Sequence, residues 1–362
     1  MAEFTLGKIR NIVLNNILDQ LTGTTQFRLL LAGPPGIGKT SMIQSIADEL
    51  NRHGITTYLV FASGTEPYEY WTGLPYLDQQ YEGQARFSVP YVIVKASKLA
   101  AENILDEVEY IKQKTKESIE KSAEVDVDAL VKDPKAFASF MEAQLEKSEK
   151  HRVVTVYDKI KAALKGKPLV ILFIDDIHTA TPAIQRYLFT LLQNKSIHGY
   201  RLPDNVVIIA AGNISTEAGF EGILSPVINR LAIFRVTLQL SEWLQLDVVK
   251  SEVHNLVKSF LQANPKYFIE EESNEEPFGT PRSWTELGKT LKRLQEDLTT
   301  QFGPKGYEMF IELAMQLPAG YVSKEAANKF RAYVQVFKDI NIAEILARRQ
   351  LLEIYEKVKK AE

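Results

Sequence analysis

Short apolar runs alternate with amphipathic stretches along the first two-thirds of the chain. Residues 29–32, 57–62, 168–174, 206–211 and 232–236 are almost continuously apolar. Such runs, bounded by turn formers, predict strands buried on both faces of a parallel sheet. Between them the period changes. Ile43, Ile46, Ala47 and Leu50 fall at i, i+3, i+4 and i+7, one stripe of a helix, and Ile184, Tyr187, Leu188, Leu191 and Leu192 form another. Ile9, Ile12, Val13, Leu14, Ile17, Leu18 and Leu21 predict an opening packing helix within residues 1–26, closed by a turn. From about residue 240 the pattern is helical throughout: one long amphipathic segment over 243–263, a helix opening at Thr280-Pro281, and helices over 323–337 and 342–358. Thr181-Pro182 and Thr280-Pro281 each read as an N-cap followed by proline at the first helical position. The pattern is that of an α/β core followed by an all-α region.

Two stretches break the alternation. Residues 63–76 are rich in turn formers and aromatics, too irregular for a core element, and 76–77 with 86–89 can pair as a hairpin. Tyr68, Tyr70, Trp71 and Tyr76 either form a contact surface or fold onto the base of their own loop. Residues 95–151 are dense in Lys, Glu, Asp and Ala, lack glycine and hold only Pro134. They read as an inserted helical segment whose charge runs are solvated faces.

Composition narrows the class. The 362 residues suffice for two or three domains, 45% of them are hydrophobic and 25% charged, and the formal net charge is −3. That balance argues against broad nucleic-acid binding through a basic surface. The lack of cysteine excludes a disulfide framework and fits a reducing compartment. No apolar run approaches the roughly 18–20 residues of a membrane span, and residues 1–4 do not open a secretory signal. The expectation is a soluble cytoplasmic chain.

The chemistry lies at the ends of the predicted strands. The first strand runs into Gly33-Pro34-Pro35-Gly36-Ile37-Gly38-Lys39-Thr40-Ser41, and a helix follows. A strand, a glycine-rich turn and a helix opening with Lys-Thr make a P-loop. Backbone N–H groups can surround a triphosphate only where no Cβ intrudes, hence Gly36 and Gly38, and the helix N-terminus adds further donors. Lys39 supplies a cation for the β- and γ-phosphates, and the Thr40 hydroxyl is a ligand for Mg²⁺. The strongest strand, 168–174, ends in Asp175-Asp176, a Walker B arrangement. Asp175 is placed to hold Mg²⁺ directly or through water, and Asp176 to orient the attacking water. Asn213, after the strand over 206–211, is a candidate for the γ-phosphate or the water, although an Asn after Gly is usually a turn residue. None of the five histidines has metal-ligand spacing.

In this order the residues resemble an AAA+ ATPase. More narrowly they are similar to the MoxR-like branch, in the forms found in bacterial and phage genomes. The similarity is carried by Gly73-Leu74-Pro75-Tyr76, Asp175-Asp176-Ile177-His178-Thr179-Ala180, Leu202-Pro203-Asp204-Asn205, Ala211-Gly212-Asn213 and Thr280-Pro281-Arg282-Ser283-Trp284. The resemblance implies a five-stranded parallel sheet between helices, followed by a helical lid. In domain terms it implies a nucleotide-binding core over 1–238 interrupted at about 95–151, a lid over 239–337 and a C-terminal helix over 338–362. It further implies hexameric rings with ATP between subunits. Asn213 matches sensor 1. Arg230 matches the arginine finger lent to a neighbour, with Arg235 as the fallback, and Arg282 matches the sensor-2 arginine. The branch usually ends Walker B in Asp-Glu, so Asp175-Asp176 is a departure, one that replication initiators and helicase loaders also carry.

The leading expectation is therefore an Mg²⁺-dependent ATPase, with ATP and Mg²⁺ as cofactors. It would remodel or assemble a protein client, often, by the resemblance, with a von Willebrand factor A-type partner. One alternative is a slow-hydrolysing assembly switch, favoured by the Asp-Asp pair. The other is a DNA-directed initiator or loader, against which the acidic balance weighs.

Overall fold

The computed structural model describes residues 3–78, 84–100, 154–213, 223–273 and 275–339. They fall into two compact units, one comprising 1–34 and 39–237, the other 35–38 and 238–362.

The first unit is built on a six-stranded sheet, all of whose neighbouring pairs are parallel. Its strands are β1 (Glu3–Thr5), β2 (Arg28–Ala32), β3 (Thr57–Ser63), β6 (Leu169–Asp175), β9 (Val206–Gly212) and β10 (Leu231–Thr237), in the order β1-β10-β2-β9-β6-β3. The five predicted strands are all present. The sixth, β1, pairs along its three residues with Arg235, Val236 and Thr237 at the edge. A strand so short shows no periodicity, and only the β10 edge creates it. Leu169 through Ile174 and Val206 through Ala211 are all fully buried, as continuous apolar runs require between two layers of helices. Edge strand β3 alternates instead, burying Val60 and Ala62 while exposing Tyr58 and Phe61.

Helix α1 (Leu6–Thr22) buries Ile9, Val13, Leu14 and Ile17 and ends at Gly23, whose φ of 72° suits the left-handed cap. Its Gln20 does more than pack. The β2 pairing of β9 begins only at Ile209, which leaves the preceding residue without a strand on that side. The Gln20 carboxamide fills the place: its Oε1 accepts from Ile208 N–H at 2.9 Å and its Nε2 donates to Ile208 C=O at 2.8 Å. A side chain thus extends the ladder by one rung.

Helix α2 (Lys39–Arg52) follows the glycine-rich turn, and α3 (Tyr68–Thr72) follows β3. The aromatic loop was expected to be irregular; it contains this short helix, which buries Trp71 fully while Tyr68 and Tyr76 stay exposed. Strands β4 (Pro75–Asp78) and β5 (Gln84–Phe87) form the expected antiparallel hairpin. Helix α4 (Tyr91–Leu99) buries Val92, Ile93 and Ala96 in the core. The insertion predicted from residue 95 therefore starts too early: 95–100 belong to a core helix and its cap, and 101–151 lie outside the described residues. Helix α5 (Val156–Leu164) leads to β6, and α6 (Pro182–Asn194) follows it, capped by Thr181 with Pro182 in the first turn as predicted. The small ladder β7 (Ser196–Ile197) with β8 (Tyr200–Arg201) comes next, and the four-residue α7 (Ser225–Ile228) precedes β10.

The second unit is helical. The single helix expected over 243–263 is three: α8 (Leu240–Trp243), α9 (Asp247–Glu252) and α10 (Asn255–Ala263). The last break is local chemistry: Val253 is extended, and His254 Nδ1 caps α10 by accepting from Leu256 N–H. Helix α11 (Pro281–Phe302) opens at the predicted Thr280 cap. Gly303, with φ 56°, turns the chain into α12 (Pro304–Gln316), which the sequence reading missed, and α13 (Lys324–Asp339) follows. Trp284 anchors this unit, its ring 5.5 Å from that of Phe260 and its Nε1 donating to the Tyr267 carbonyl at 2.7 Å. The helix expected over 342–358 lies outside the described residues. No helix among the described residues is long and apolar enough to cross a membrane.

Replacing Gln20 by Leu keeps the packing volume and removes both hydrogen bonds to Ile208. Each orphaned backbone group costs about 1–3 kcal/mol, so the urea midpoint should fall clearly while the far-ultraviolet spectrum is kept. An unchanged midpoint would show that the side-chain rung is dispensable.

Candidate active site

Because β2, β9 and β6 are adjacent and parallel, their carboxyl ends lie along one edge of the sheet. The glycine-rich turn leaves β2, Asn213 follows β9, and Asp175 ends β6. Gly33 N–H donates to Gly212 C=O at 3.2 Å, carrying the ladder one residue into the turn. Gly36 and Gly38 have φ of 74° and 97°, backbone that L side chains rarely adopt. Lys39 opens α2 and is buried, yet its ammonium is not left in an apolar setting. Its Nζ donates to Gly33 C=O at 2.7 Å and to Pro34 C=O at 3.0 Å, so the turn wraps around its own cation. The first turn of α2 carries no acidic residue, which leaves its N-terminal dipole to an outside anion.

The Asp175 carboxylate is fixed at both oxygens. Oδ2 accepts from Thr40 Oγ1 at 2.7 Å and Oδ1 from Asp176 N–H at 3.0 Å. Two oxygens 2.7 Å apart suit neighbouring positions on an octahedral magnesium, where bonds of 2.0–2.1 Å at right angles set them about 2.9 Å apart. Among the described residues no group of three or more His, Cys, Asp or Glu could hold a metal.

Asp176 has left-handed backbone, φ 49° and ψ 40°, and an exposed position. Three hydrogen bonds from two residues hold the turn. Thr179 donates to the Asp176 carbonyl through its backbone at 2.9 Å and its hydroxyl at 2.7 Å, and Gly64 N–H donates to Asp175 C=O at 2.9 Å. A Cβ on Gly64 would stand 2.3 Å from the Asp176 oxygen, so only glycine lets β3 approach this closely. Asn213 is positioned through its backbone, whose N–H donates to His178 Nδ1 at 3.2 Å, which assigns the ring proton to Nε2. Below this edge Gln185, buried in α6, donates to Ala180 C=O and accepts from Leu224 N–H.

Lys39, Thr40, Asp175, Asp176 and Asn213 therefore share one edge of one sheet. Arg230 does not. It precedes β10, whose Leu231 pairs with Arg28 at the amino end of β2, and its carbonyl accepts from Arg28 N–H at 3.0 Å. Its guanidinium lies 4.5 Å over the Phe189 ring and donates to Pro226 C=O at 3.4 Å. Arg235 lies within β10, level with Ala32. Arg282 belongs to the second unit, with residues 35–38. There its backbone N–H donates to Gly36 C=O at 3.1 Å, and its side chain is exposed. Ser41 is exposed in the first turn of α2, and Ile37 is buried.

Gly64, Thr179 and His178 escaped the sequence reading. Gly64 had a signal, a glycine directly after an apolar run; His178 and Thr179 stand in a stretch that carries the resemblance, but nothing there gave them a supporting role. Gly64→Ala should displace the Asp175-Asp176 turn, lowering stability by about 1–3 kcal/mol by thermal melting. Melting unchanged from the parent chain would mean that the turn gives way at no cost.

A family model described as the AAA ATPase domain matches residues 10–209. No curated protein sequence matches the chain. Among solved structures, C. elegans PCH-2 is 12% identical, with 92% of this chain and 70% of that one covered and a TM-score of 0.33. The Thermotoga maritima RuvB Holliday junction branch migration motor is 14% identical, with 97% and 76% covered and a TM-score of 0.34. A lysine-to-arginine point mutant of the same RuvB is 15% identical over the same shares, with a TM-score of 0.34. The family match takes in the glycine-rich turn, Asp175-Asp176 and most of β9, more than half of the 362 residues. The chain belongs to the AAA ATPase domain family.

Proposed function

We propose that the chain binds and hydrolyses ATP with Mg²⁺ and, assembled with further copies of itself, remodels or assembles a protein client in the manner of the MoxR-like branch. The observation that carries the nucleotide chemistry is the Thr40–Asp175 contact at 2.7 Å beside the wrapped Lys39 ammonium. N–H groups of residues 36–40 and the Lys39 ammonium take the phosphates, with Lys39 exchanging carbonyl acceptors for phosphate oxygens. Thr40 and Asp175 hold the magnesium, which when bound spreads the charge of the β- and γ-phosphate oxygens. Asp176 offers an exposed carboxylate to orient and deprotonate water, and Asn213, after β9 on the same edge, would supply an amide.

Arg230 supports the assembly. It lies at the amino edge of the sheet and Lys39 at the carboxyl edge, so it serves a γ-phosphate only in another copy. AAA+ family members commonly form oligomeric rings. The role of Arg282 as a sensor of the same phosphate rests on the resemblance alone. The protein client and a von Willebrand factor A-type partner rest on the resemblance alone.

The second reading, a slow switch, is favoured by Asp176 itself. Its carboxylate is one methylene shorter than the Glu usual at that place, and its left-handed backbone is tied by Thr179 and Gly64. Steady-state phosphate release from the full chain, with solution mass measured with and without ATP·Mg²⁺, separates the two. The remodeller predicts an ATP-dependent rise in mass and a turnover that Asp176→Asn lowers by about 10²–10⁴-fold. Assembly with ATP but negligible release, unchanged by Asp176→Asn, would overturn hydrolysis and leave the switch.

A further inference from the structure

At the other end of the sheet from the glycine-rich turn lies a polar cavity of about 520 Å³. The end of α1, the start of β2, the end of α6, β8 and the turn before β9 enclose it. Its volume is in the range of small-molecule sites. Thr22, Arg28, Gln193, Lys195, Arg201 and Asp204 line it, three cations against one carboxylate.

Two of these cations are buried. Arg28 and Lys195 are each 5% exposed. The Arg28 Nε has no hydrogen-bond partner, an expensive state for a buried guanidinium. Lys195 caps α6 in left-handed backbone, φ 56°, and its Nζ donates to the carbonyls of Asp204 at 3.3 Å and Val206 at 2.5 Å. The cations also oppose one another. Burial and then the Arg201 charge lower Arg28 to about 10. Burial, then Arg28, then Arg201 push Lys195 down to about 7, with only Asp204 acting in the other sense. A lysine needed only to bridge two carbonyls gains nothing from two guanidinium groups beside it. An oxyanion in the cavity would reverse the repulsion among these cations.

We propose that this cavity is an anion site for a small phosphorylated molecule, separate from the nucleotide edge, with the phosphate taken by Arg28, Lys195 and Arg201. The polar remainder of the ligand would meet Thr22 and Gln193. The site rests on the first unit alone and does not depend on the ATPase reading.

The test is calorimetric titration of the full chain carrying Lys39→Ala, which removes the ammonium of the glycine-rich turn. Inorganic sulfate, inorganic phosphate and ribose 5-phosphate are the probes. Saturable one-to-one binding is expected, weakened about tenfold or more by Arg201→Gln and by Lys195→Met. Tighter binding of ribose 5-phosphate than of inorganic phosphate is expected; equal or weaker binding would overturn the phosphorylated organic ligand in favour of a free ion. An anion raises the Lys195 pKa, so sulfate should bind more weakly as pH rises from 6 to 8, with proton uptake at the upper end that Lys195→Met abolishes. That linkage is read in the Lys39→Ala chain without a second substitution, so it decides even where Arg201→Gln or Lys195→Met fails to fold. Absence of saturable binding, or binding with no proton uptake and no loss in either variant, overturns the site.

Discussion

All six strands of the sheet point the same way, and this constraint places the chemistry. In a parallel sheet every strand hands the chain to its next segment at one edge, and backbone groups there have no further rung. Three neighbouring strands deliver the glycine-rich turn, the Asp175-Asp176 turn and Asn213 to that edge. A lysine, a threonine, two aspartates and an asparagine from distant parts of the chain therefore need no dedicated scaffold to meet. Their precision comes from the buried strands behind them and from close backbone contacts such as that at Gly64.

The same constraint gives the opposite edge its character. Helix N-termini gather at the carboxyl edge, whereas the amino edge receives strand starts and helix C-termini. There the last turn of α1 carries Gln20, spent on the β9 backbone, and α6 is capped by Lys195, spent on two carbonyls. Arg28 and Arg201 line the cavity at this edge, while Arg230 precedes β10 at the same edge and stacks its guanidinium on Phe189. The two edges differ in kind: one presents donors from backbone, the other cations from side chains.

Much of this could be read from residue order. Continuous apolar runs marked the five predicted strands, most plainly β2, β6 and β9, where burial on both faces forbids alternation, and the Thr-Pro caps of α6 and α11 worked because capping is local chemistry. Local patterns failed where partners decide. Strand β1 exists because β10 has a free edge, α3 forms because Trp71 has a core to enter, and the break before α10 is made by a histidine cap without proline or glycine. At the candidate site the glycine-rich turn and Asp175 were legible because their chemistry demands those residue types in that order. The support from Gly64, Thr179 and His178 was not, since contacts between β3, β6 and β9 leave no periodic trace. Nor could spacing show that Arg230 enters the sheet at the opposite edge from Lys39.

The central claim is that Thr40 and Asp175, held 2.7 Å apart beside Lys39, form the seat of a magnesium–nucleotide complex. Equilibrium titration of the chain and of its Thr40→Ala variant with ATP, in magnesium and in EDTA, addresses it most directly. The account predicts that magnesium strengthens ATP binding to the parent chain and that Thr40→Ala loses most of that gain. ATP affinity equal in magnesium and in EDTA, or a gain left intact by Thr40→Ala, would contradict it.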